Sequence, residues 1–128
     1  MTTTRFDTFT PETVWTDVCA FDDLEAGRGV CALVGSHQVA LFRMPGSDVL
    51  YAISNFDPFS DAYVLSRGIV GSRGEIPKVS SPVFKQSFDL RTGECLDDPS
   101  VKLPVYSVRC QNGRVQVAPP MVELRAAA

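Results

Sequence analysis

The sequence from Val79 to Leu96 reads Val-Ser-Ser-Pro-Val-Phe-Lys-Gln-Ser-Phe-Asp-Leu-Arg-Thr-Gly-Glu-Cys-Leu. An apolar run is followed by a loop that contains Pro82, then by a second apolar run and a turn that ends at Gly93. Proline fixes the backbone angle φ, and glycine is the usual residue where a turn needs a positive φ. This stretch therefore predicts two strands joined by a stiff loop, with a tight turn after the second strand.

A hairpin is predicted well before this stretch. Two β-rich runs, Val30–Val34 and His37–Phe42, are separated by Gly35-Ser36, and glycine in the first position of a two-residue loop favours a type II′ turn. The register implied by this turn pairs Val34 with His37, Ala32 with Val39 and Val30 with Leu41. Apolar residues then face one another, which supports the hairpin.

A second hairpin is predicted near the end of the chain. Asn112-Gly113 lies between the runs Val105–Cys110 and Arg114–Val117, and both turn residues tolerate positive φ. The register places Cys110 opposite Val115 and Val108 opposite Val117.

Short strands separated by Gly, Pro, Asn and Asp turns indicate an all-β fold, because no segment has a sustained apolar period of 3.6 residues. We expect an antiparallel β-sandwich or barrel with a small subdomain formed by two loops. The 128 residues suit one domain. It is predicted to span residues 14–120, with a flexible N-terminal arm at 1–13 and a C-terminal tail at 121–128.

Composition argues against several classes of partner. A net charge of −3 provides no concentrated basic face for nucleic acid or an anionic membrane. No apolar run approaches the roughly 20 residues that a membrane-spanning helix needs, and the N-terminal residues lack the pattern of a signal peptide. The expected location is the cytoplasm.

The four cysteines are interpreted as free thiols. Their spacing contains no Cys-x-x-Cys pair, which argues against a zinc or thioredoxin-like motif. Cys31 and Cys110 lie in apolar strand patterns, so both are predicted to be small core residues.

Two loops lie between the predicted hairpins and share a recognisable frame. The first begins Ser54-Asn55-Phe56-Asp57-Pro58-Phe59 and continues to Val64-Leu65-Ser66-Arg67-Gly68. The second is Ser81-Pro82-Val83-Phe84, followed by Phe88-Asp89-Leu90-Arg91-Thr92-Gly93. Over about residues 15–118 the chain resembles a Rieske-type ferredoxin domain, whose loops read Asn-x-Cys-x-His and Cys-Pro-x-His.

The resemblance implies where the ligands of an iron–sulfur cluster would stand. Rieske centres are held by two thiolates and two imidazoles. Here those positions are occupied by Asp57, Phe59, Ser81 and Phe84. Phenylalanine has no lone pair to donate, and carboxylate or hydroxyl oxygen is a hard ligand where iron in a sulfide cluster takes soft sulfur. We therefore expect no metal in this chain.

The absence of cysteine and histidine at these positions points to one group within the Rieske-like proteins. Ser-Asn-x-Asp-Pro-Phe, Val-Leu-Ser-Arg-Gly and Ser-Pro-x-x-Lys-Gln-x-Phe are similar to the small subunits of bacterial NADH-dependent nitrite reductases, as is Gly-Val-Cys-Ala-Leu-Val-Gly at residues 29–35. This resemblance implies an accessory chain without a cofactor. The large partner subunit would carry FAD, sirohaem and a [4Fe–4S] cluster and would reduce nitrite to ammonium.

No catalytic residue is predicted, because the sequence has no nucleotide-binding glycine loop, no Ser-His-Asp set and a single histidine, His37. Asp57 and Ser81 each precede a proline and are interpreted as turn residues that bond backbone amides. The rings of Phe59 and Phe84 are expected to pack together where the cluster would sit. The alternative is that both rings are exposed for a partner.

The candidate interface with the large subunit lies on the two loops. Its predicted residues are Asp57, Phe59, Asp61, Tyr63, Phe84, Lys85 and Gln86. Two other functions remain open: a stand-alone binding module that uses the pocket left by the cluster, and a Rieske-type electron-transfer ferredoxin, which requires iron.

Overall fold

The computed structural model describes residues 14–119. The predicted arm at 1–13 and tail at 121–128 lie outside these residues. The described chain forms eleven β-strands and two short 3-10 turns, at Phe21–Asp23 and Leu65–Arg67. The strands are β1 (Thr16–Ala20), β2 (Val30–Val34), β3 (His37–Arg43), β4 (Leu50–Ser54), β5 (Phe56–Asp57), β6 (Ala62–Tyr63), β7 (Ile69–Arg73), β8 (Ile76–Ser80), β9 (Ser87–Asp89), β10 (Val105–Gln111) and β11 (Arg114–Ala118).

Antiparallel strands build the body of the protein. Six of them form one sheet in the order β1-β11-β10-β4-β3-β2, and its edge strands β1 and β2 approach each other, so that the sheet is nearly closed. The strands β7-β8-β9 form a second sheet, and β5 with β6 forms a two-stranded hairpin. The fold is therefore the predicted all-β, Rieske-like sandwich or barrel with a small loop subdomain.

Both predicted hairpins have the predicted register. Val34 pairs with His37 across Gly35, which has a φ of 62°. Cys110 pairs with Val115 across Asn112-Gly113, and both of these turn residues have positive φ. Turn chemistry alone was sufficient here, because the positive φ that these residues tolerate determines which strand residues face each other.

The core consists of two apolar clusters, one on each face of β3. Val39 and Leu41 face the interior of the six-stranded sheet, with Ala52, Val115 and Val117. The next cluster lies between the two sheets, and its residues are Ala40, Phe42, Ile53, Leu65, Val79, Phe88, Leu90, Cys95 and Leu103. Alternate side chains of a strand point to opposite faces, so the continuous run from Val39 to Phe42 is buried on both sides.

The prediction that Cys31 and Cys110 are core residues is wrong. All four cysteines are free thiols, but these two are exposed. Cys31 lies on the edge strand β2. Cys110 lies near the end of β10, beyond Val105 and Tyr106, where that strand pairs with β4. Cys31 points to the face of β2 opposite the buried Ala32 and Val34, and the last three residues of β10, which include Cys110, are all exposed.

Within residues 14–119, no helix has the length and apolar character that crossing a bilayer requires.

Candidate functional site

The two predicted loops meet at one end of the three-stranded sheet. In the first loop, β5 and β6 pair Phe56 with Tyr63. The second loop joins β8 to β9 and is closed by its own backbone, since the Ser81 amide donates to the Gln86 carbonyl over 2.9 Å and the Lys85 amide donates to the Ser81 carbonyl over 3.1 Å. Each loop is thus held in shape before any contact with the other is considered.

A buried hydrogen bond joins the loops at the two positions where the Rieske frame has cysteine. The Ser81 hydroxyl donates to Asp57 Oδ2 over 2.5 Å, and both residues are buried. Asp57 also accepts hydrogen bonds from the Phe59 amide at 2.9 Å and the Ser60 hydroxyl at 2.8 Å. Ser81 Oγ in turn accepts the Val83 amide at 3.2 Å. The predicted turn roles of Asp57 and Ser81 are confirmed, and their mutual contact is an additional finding.

These hydrogen bonds determine the charge state of Asp57. Burial alone would raise the pKa of the carboxyl group, but hydrogen bonds from the Ser81 and Ser60 side chains and from the Phe59 and Ser60 amides stabilise the carboxylate. The net effect is a pKa below the ordinary value. Asp57 is therefore an ionised carboxylate at neutral pH that two loops solvate in place of water.

The two phenylalanines at the former histidine positions have different surroundings. Phe59 is partly buried against the core between the sheets, with its ring 6.2 Å from that of Phe88. Phe84 is 57% exposed at the tip of the second loop. The prediction that both rings fill the vacated cluster site is wrong for Phe84. Asp57 and Ser81 already connect the loops, and the second loop turns outward through Lys85, whose φ is 70°.

The residues at the frame do not fit a Rieske cluster. Asp57 and Ser81 contact each other directly, at a distance that leaves no room for iron between them, and neither Phe59 nor Phe84 offers a donor atom. Elsewhere in residues 14–119, no three His, Cys, Asp or Glu side chains are grouped as metal ligands would be. We derive no chemical step through a cluster in this chain.

The remaining interface candidates lie around the loop tips. Tyr63 is 56% exposed, with its ring 5.1 Å from that of Phe56. Asp61 and Lys85 are exposed and have positive φ, which is uncommon for residues other than glycine. Gln86 Oε1 is buried without a hydrogen-bond partner among the described residues. With the exposed Val83, these residues give the two loops an outward surface that combines apolar and polar groups.

Sequence reasoning missed two residues that position the loops. Asn55 is buried, and its Oδ1 accepts the Ser66 amide over 2.7 Å, which ties the first loop to the following 3-10 turn. Asp97 accepts the Ser87 amide over 2.8 Å and forms an ion pair with Arg73 at 3.3 Å. Asn55 stands in the quoted frame, so it offered a signal. Asp97 offered none, because its partners are ten or more residues away.

Proteins of similar sequence and proteins of similar structure belong to the same family. Residues 14–118 match the model of the Rieske-like [2Fe-2S] domain family. The chain is 46% identical to the nitrite reductase (NADH) small subunit of Salmonella typhimurium over 104 residues, which covers 80% of this chain and 95% of that protein. A crystal structure of a protein from Mycobacterium tuberculosis superposes with a TM-score of 0.79 at 53% identity, covering 83% of this chain and 95% of that one. The solution structure of the nitrite reductase [NAD(P)H] small subunit from Erwinia carotovora superposes with a TM-score of 0.69 at 47% identity, covering 81% of this chain and 80% of that one.

A further relative has a different architecture. The chain is 37% identical, over 118 residues, to part of the nitrite reductase [NAD(P)H] large subunit of Klebsiella oxytoca. The match covers 92% of this chain but only 12% of the Klebsiella protein. A domain of this type thus also occurs inside a chain that bears the name of the large subunit. On the fold, the loop frame and these relatives, the chain belongs to the family of nitrite reductase (NADH) small subunits, which have a Rieske-like domain.

Proposed function

We propose that this chain is the small subunit of a cytoplasmic NAD(P)H-dependent nitrite reductase and that it binds the large catalytic subunit. The assembled enzyme would reduce nitrite to ammonium during nitrate assimilation. The chain contributes to the enzyme as a subunit and has no catalytic site of its own. Its role is to bind the large subunit and to stabilise or complete it.

The main support for this proposal is the match to part of the Klebsiella large subunit. A segment similar to nearly the whole chain is covalently part of a protein named as the large subunit. Fusion in one chain holds two domains at a high effective concentration, which is useful where they act together. The separate small subunits of other bacteria would have to achieve the same association through a surface.

The electron chemistry is assigned to the partner. FAD, sirohaem and a [4Fe–4S] cluster belong to the large subunit in this proposal, as the family resemblance implies. The small subunit has Asp57 and Ser81 where a Rieske protein has thiolates, and their side chains are engaged with each other. This contact supports the proposal that the loop frame serves as a binding surface and does not hold a metal.

We propose that the large subunit binds at the loop tips. Tyr63, Val83 and Phe84 expose apolar surface there, and aromatic side chains are enriched among the residues that dominate binding energy. The loops are held by internal hydrogen bonds, so little ordering would be required when the partner binds. Asp57 lies beneath this surface and would support it without touching the partner.

The two alternatives lack comparable support. An electron-transfer ferredoxin needs a metal centre that the four frame residues do not fit. A stand-alone module that binds a small ligand between the loops would need an open pocket at the frame, where Asp57 and Ser81 are in contact.

Co-purification and reconstitution test the proposal. The tagged chain is expressed with the large subunit of the same organism, and complex formation is followed by size-exclusion chromatography with light scattering. We expect a complex, and nitrite-dependent NADH oxidation that is higher or longer-lived than with the large subunit alone. Full activity and stability of the large subunit without this chain, together with no complex at micromolar concentration, would contradict it.

A further inference from the structure

A cleft of about 330 Å³ lies between two segments that are distant in sequence. One wall is the connection that leads into β2, and the other is the 3-10 turn that precedes β7. The residues that line it are Gly27, Arg28, Gly29, Ser66, Arg67 and Gly68. Each wall thus presents an arginine next to glycine, and none of the lining residues is acidic.

The backbone holds the two walls at a fixed separation. A Cβ atom on Gly29 would lie 2.2 Å from the Ser66 carbonyl oxygen, so the two chains approach as closely as only glycine permits. The Ser66 amide is also bound by the buried Asn55 side chain. The cleft therefore exists before any ligand enters it.

Both arginines are available to a ligand. Arg67 forms no ion pair or side-chain hydrogen bond with any residue in the described part of the chain. Arg28 pairs with Glu25 at 3.0 Å, but the two side chains are 78% and 70% exposed. Exposed pairs of this kind contribute little, so a competing anion can replace Glu25.

We propose that this cleft binds a small oxyanion of the phosphate or carboxylate type. A guanidinium group offers two parallel N–H donors to two oxygens of such an anion, and the Ser66 hydroxyl on the same wall can donate a third hydrogen bond. The volume is at the lower end of the range for ligand pockets, which suits one small group. The inference concerns the isolated chain and does not depend on the proposed function.

Titration by NMR tests the site directly. The isotope-labelled chain is titrated with sodium phosphate, and separately with sodium acetate, while sodium chloride keeps the ionic strength constant. We expect saturable shifts of the amides of Gly27, Gly29 and Gly68 with at least one of the two anions. The better-bound anion identifies the preferred class.

Three variants distinguish specific anion binding in the cleft from general attraction of anions to positive charge. Arg67→Gln and Arg28→Gln should each weaken binding about tenfold or more, since each removes charge-assisted hydrogen bonds. Arg73→Gln removes the same charge outside the cleft and should leave the affinity unchanged. The proposal is overturned if neither anion gives localised, saturable shifts, or if Arg73→Gln weakens binding as much as the cleft variants do.

A final measurement identifies the source of the anion. Binding of the large subunit is measured in rising phosphate, again at constant ionic strength. Competition that Arg67→Gln abolishes would indicate that a carboxylate of the partner occupies the cleft. Binding of phosphate to the chain without any competition would indicate a free anion. Both results support an oxyanion site, and the shift titration decides whether that site exists.

Discussion

At the level of single residues, Asp57 and Ser81 connect the two loops by a direct hydrogen bond of 2.5 Å at positions where the Rieske frame has metal ligands. A hydrogen bond to a charged group contributes more than one between neutral groups. Because Asp57 is buried, removing its donor leaves a carboxylate with less stabilisation in a place that water does not reach.

The contribution of this bond can be measured by truncating the serine. Ser81→Ala should lower the free energy of unfolding by about 1.5–3 kcal/mol, the usual range for a bond to a buried charged group. Urea denaturation followed by tryptophan fluorescence or circular dichroism gives this value. Ser100→Ala is the matched control, because that hydroxyl bonds Asp98 on an exposed surface and its loss should cost much less. Equal losses in the two variants would contradict the structural role of Ser81.

The lowered pKa of Asp57 predicts a dependence of stability on pH. A carboxyl whose pKa is lower in the folded than in the unfolded state adds stability above its unfolded pKa of about 3.9, and this stability is lost as the pH falls through the folded value. The stability difference between the wild type and Asp57→Asn should therefore be constant at neutral pH and shrink as the pH falls from about 5 through the lowered folded pKa of Asp57.

Urea denaturation at several pH values measures this difference. Asp89 also has a lowered pKa, since hydrogen bonds from Arg91 outweigh its burial, so Asp57→Asn should retain part of the wild-type slope. Parallel curves for the wild type and Asp57→Asn would show that Asp57 does not titrate as inferred.

At the level of elements, the local sequence predicts strand register better than it predicts which strand faces are buried. The Asn112-Gly113 turn determined the β10–β11 register because the backbone angles of two adjacent residues suffice. The burial of β3 on both faces required the second sheet, which is formed by residues much later in the chain. The exposed positions of Cys31 and Cys110 depend in the same way on which elements lie beside them.

The turn after β9 offers a test at this level. Gly93 has a φ of 85°, and a Cβ atom there would lie 1.9 Å from the Leu103 carbonyl oxygen. Gly93→Ala should therefore destabilise the protein by more than the roughly 1 kcal/mol typical of glycine replacement, because backbone strain and a clash add together. Gly71→Ala in β7 is the control, since no atom lies within 4 Å of its added Cβ. Thermal unfolding of both variants measures the difference. A Gly93→Ala protein as stable as Gly71→Ala would contradict the close approach of Gly93 to the Leu103 carbonyl oxygen.

At the level of the whole molecule, the loop tips are expected to be the contact with the large subunit. Phe84→Ala should weaken binding by about 2 kcal/mol, roughly thirtyfold, with no loss of stability, because the side chain is 57% exposed and is a candidate hot spot. Val49→Ala is the control, since Val49 is also exposed but precedes β4, whereas the loops follow that strand. Surface plasmon resonance against the large subunit compares the two, and equal affinities would place the interface elsewhere.

A measurement on the purified chain separates the proposed subunit from a ferredoxin. We expect no iron and no visible absorption from an iron–sulfur centre, because Asp57 and Ser81 are bonded to each other and the phenylalanines offer no donor atoms. Metal analysis and absorption spectroscopy of anaerobically purified protein provide the check. Stoichiometric iron and sulfide would overturn the assignment.

The sequence by itself determined the turns, the strand registers and the identity of the residues in the Rieske frame, because these depend on neighbouring residues or on local backbone sterics. It also indicated that Asp57 and Ser81 would bond backbone amides. Only the tertiary structure decided that these two residues, 24 positions apart, bond each other, that Phe59 packs inward while Phe84 points out, and that Arg28 and Arg67 border one cleft. The physical reason is that burial and contact between distant segments depend on how the sheets pack, which no local pattern records.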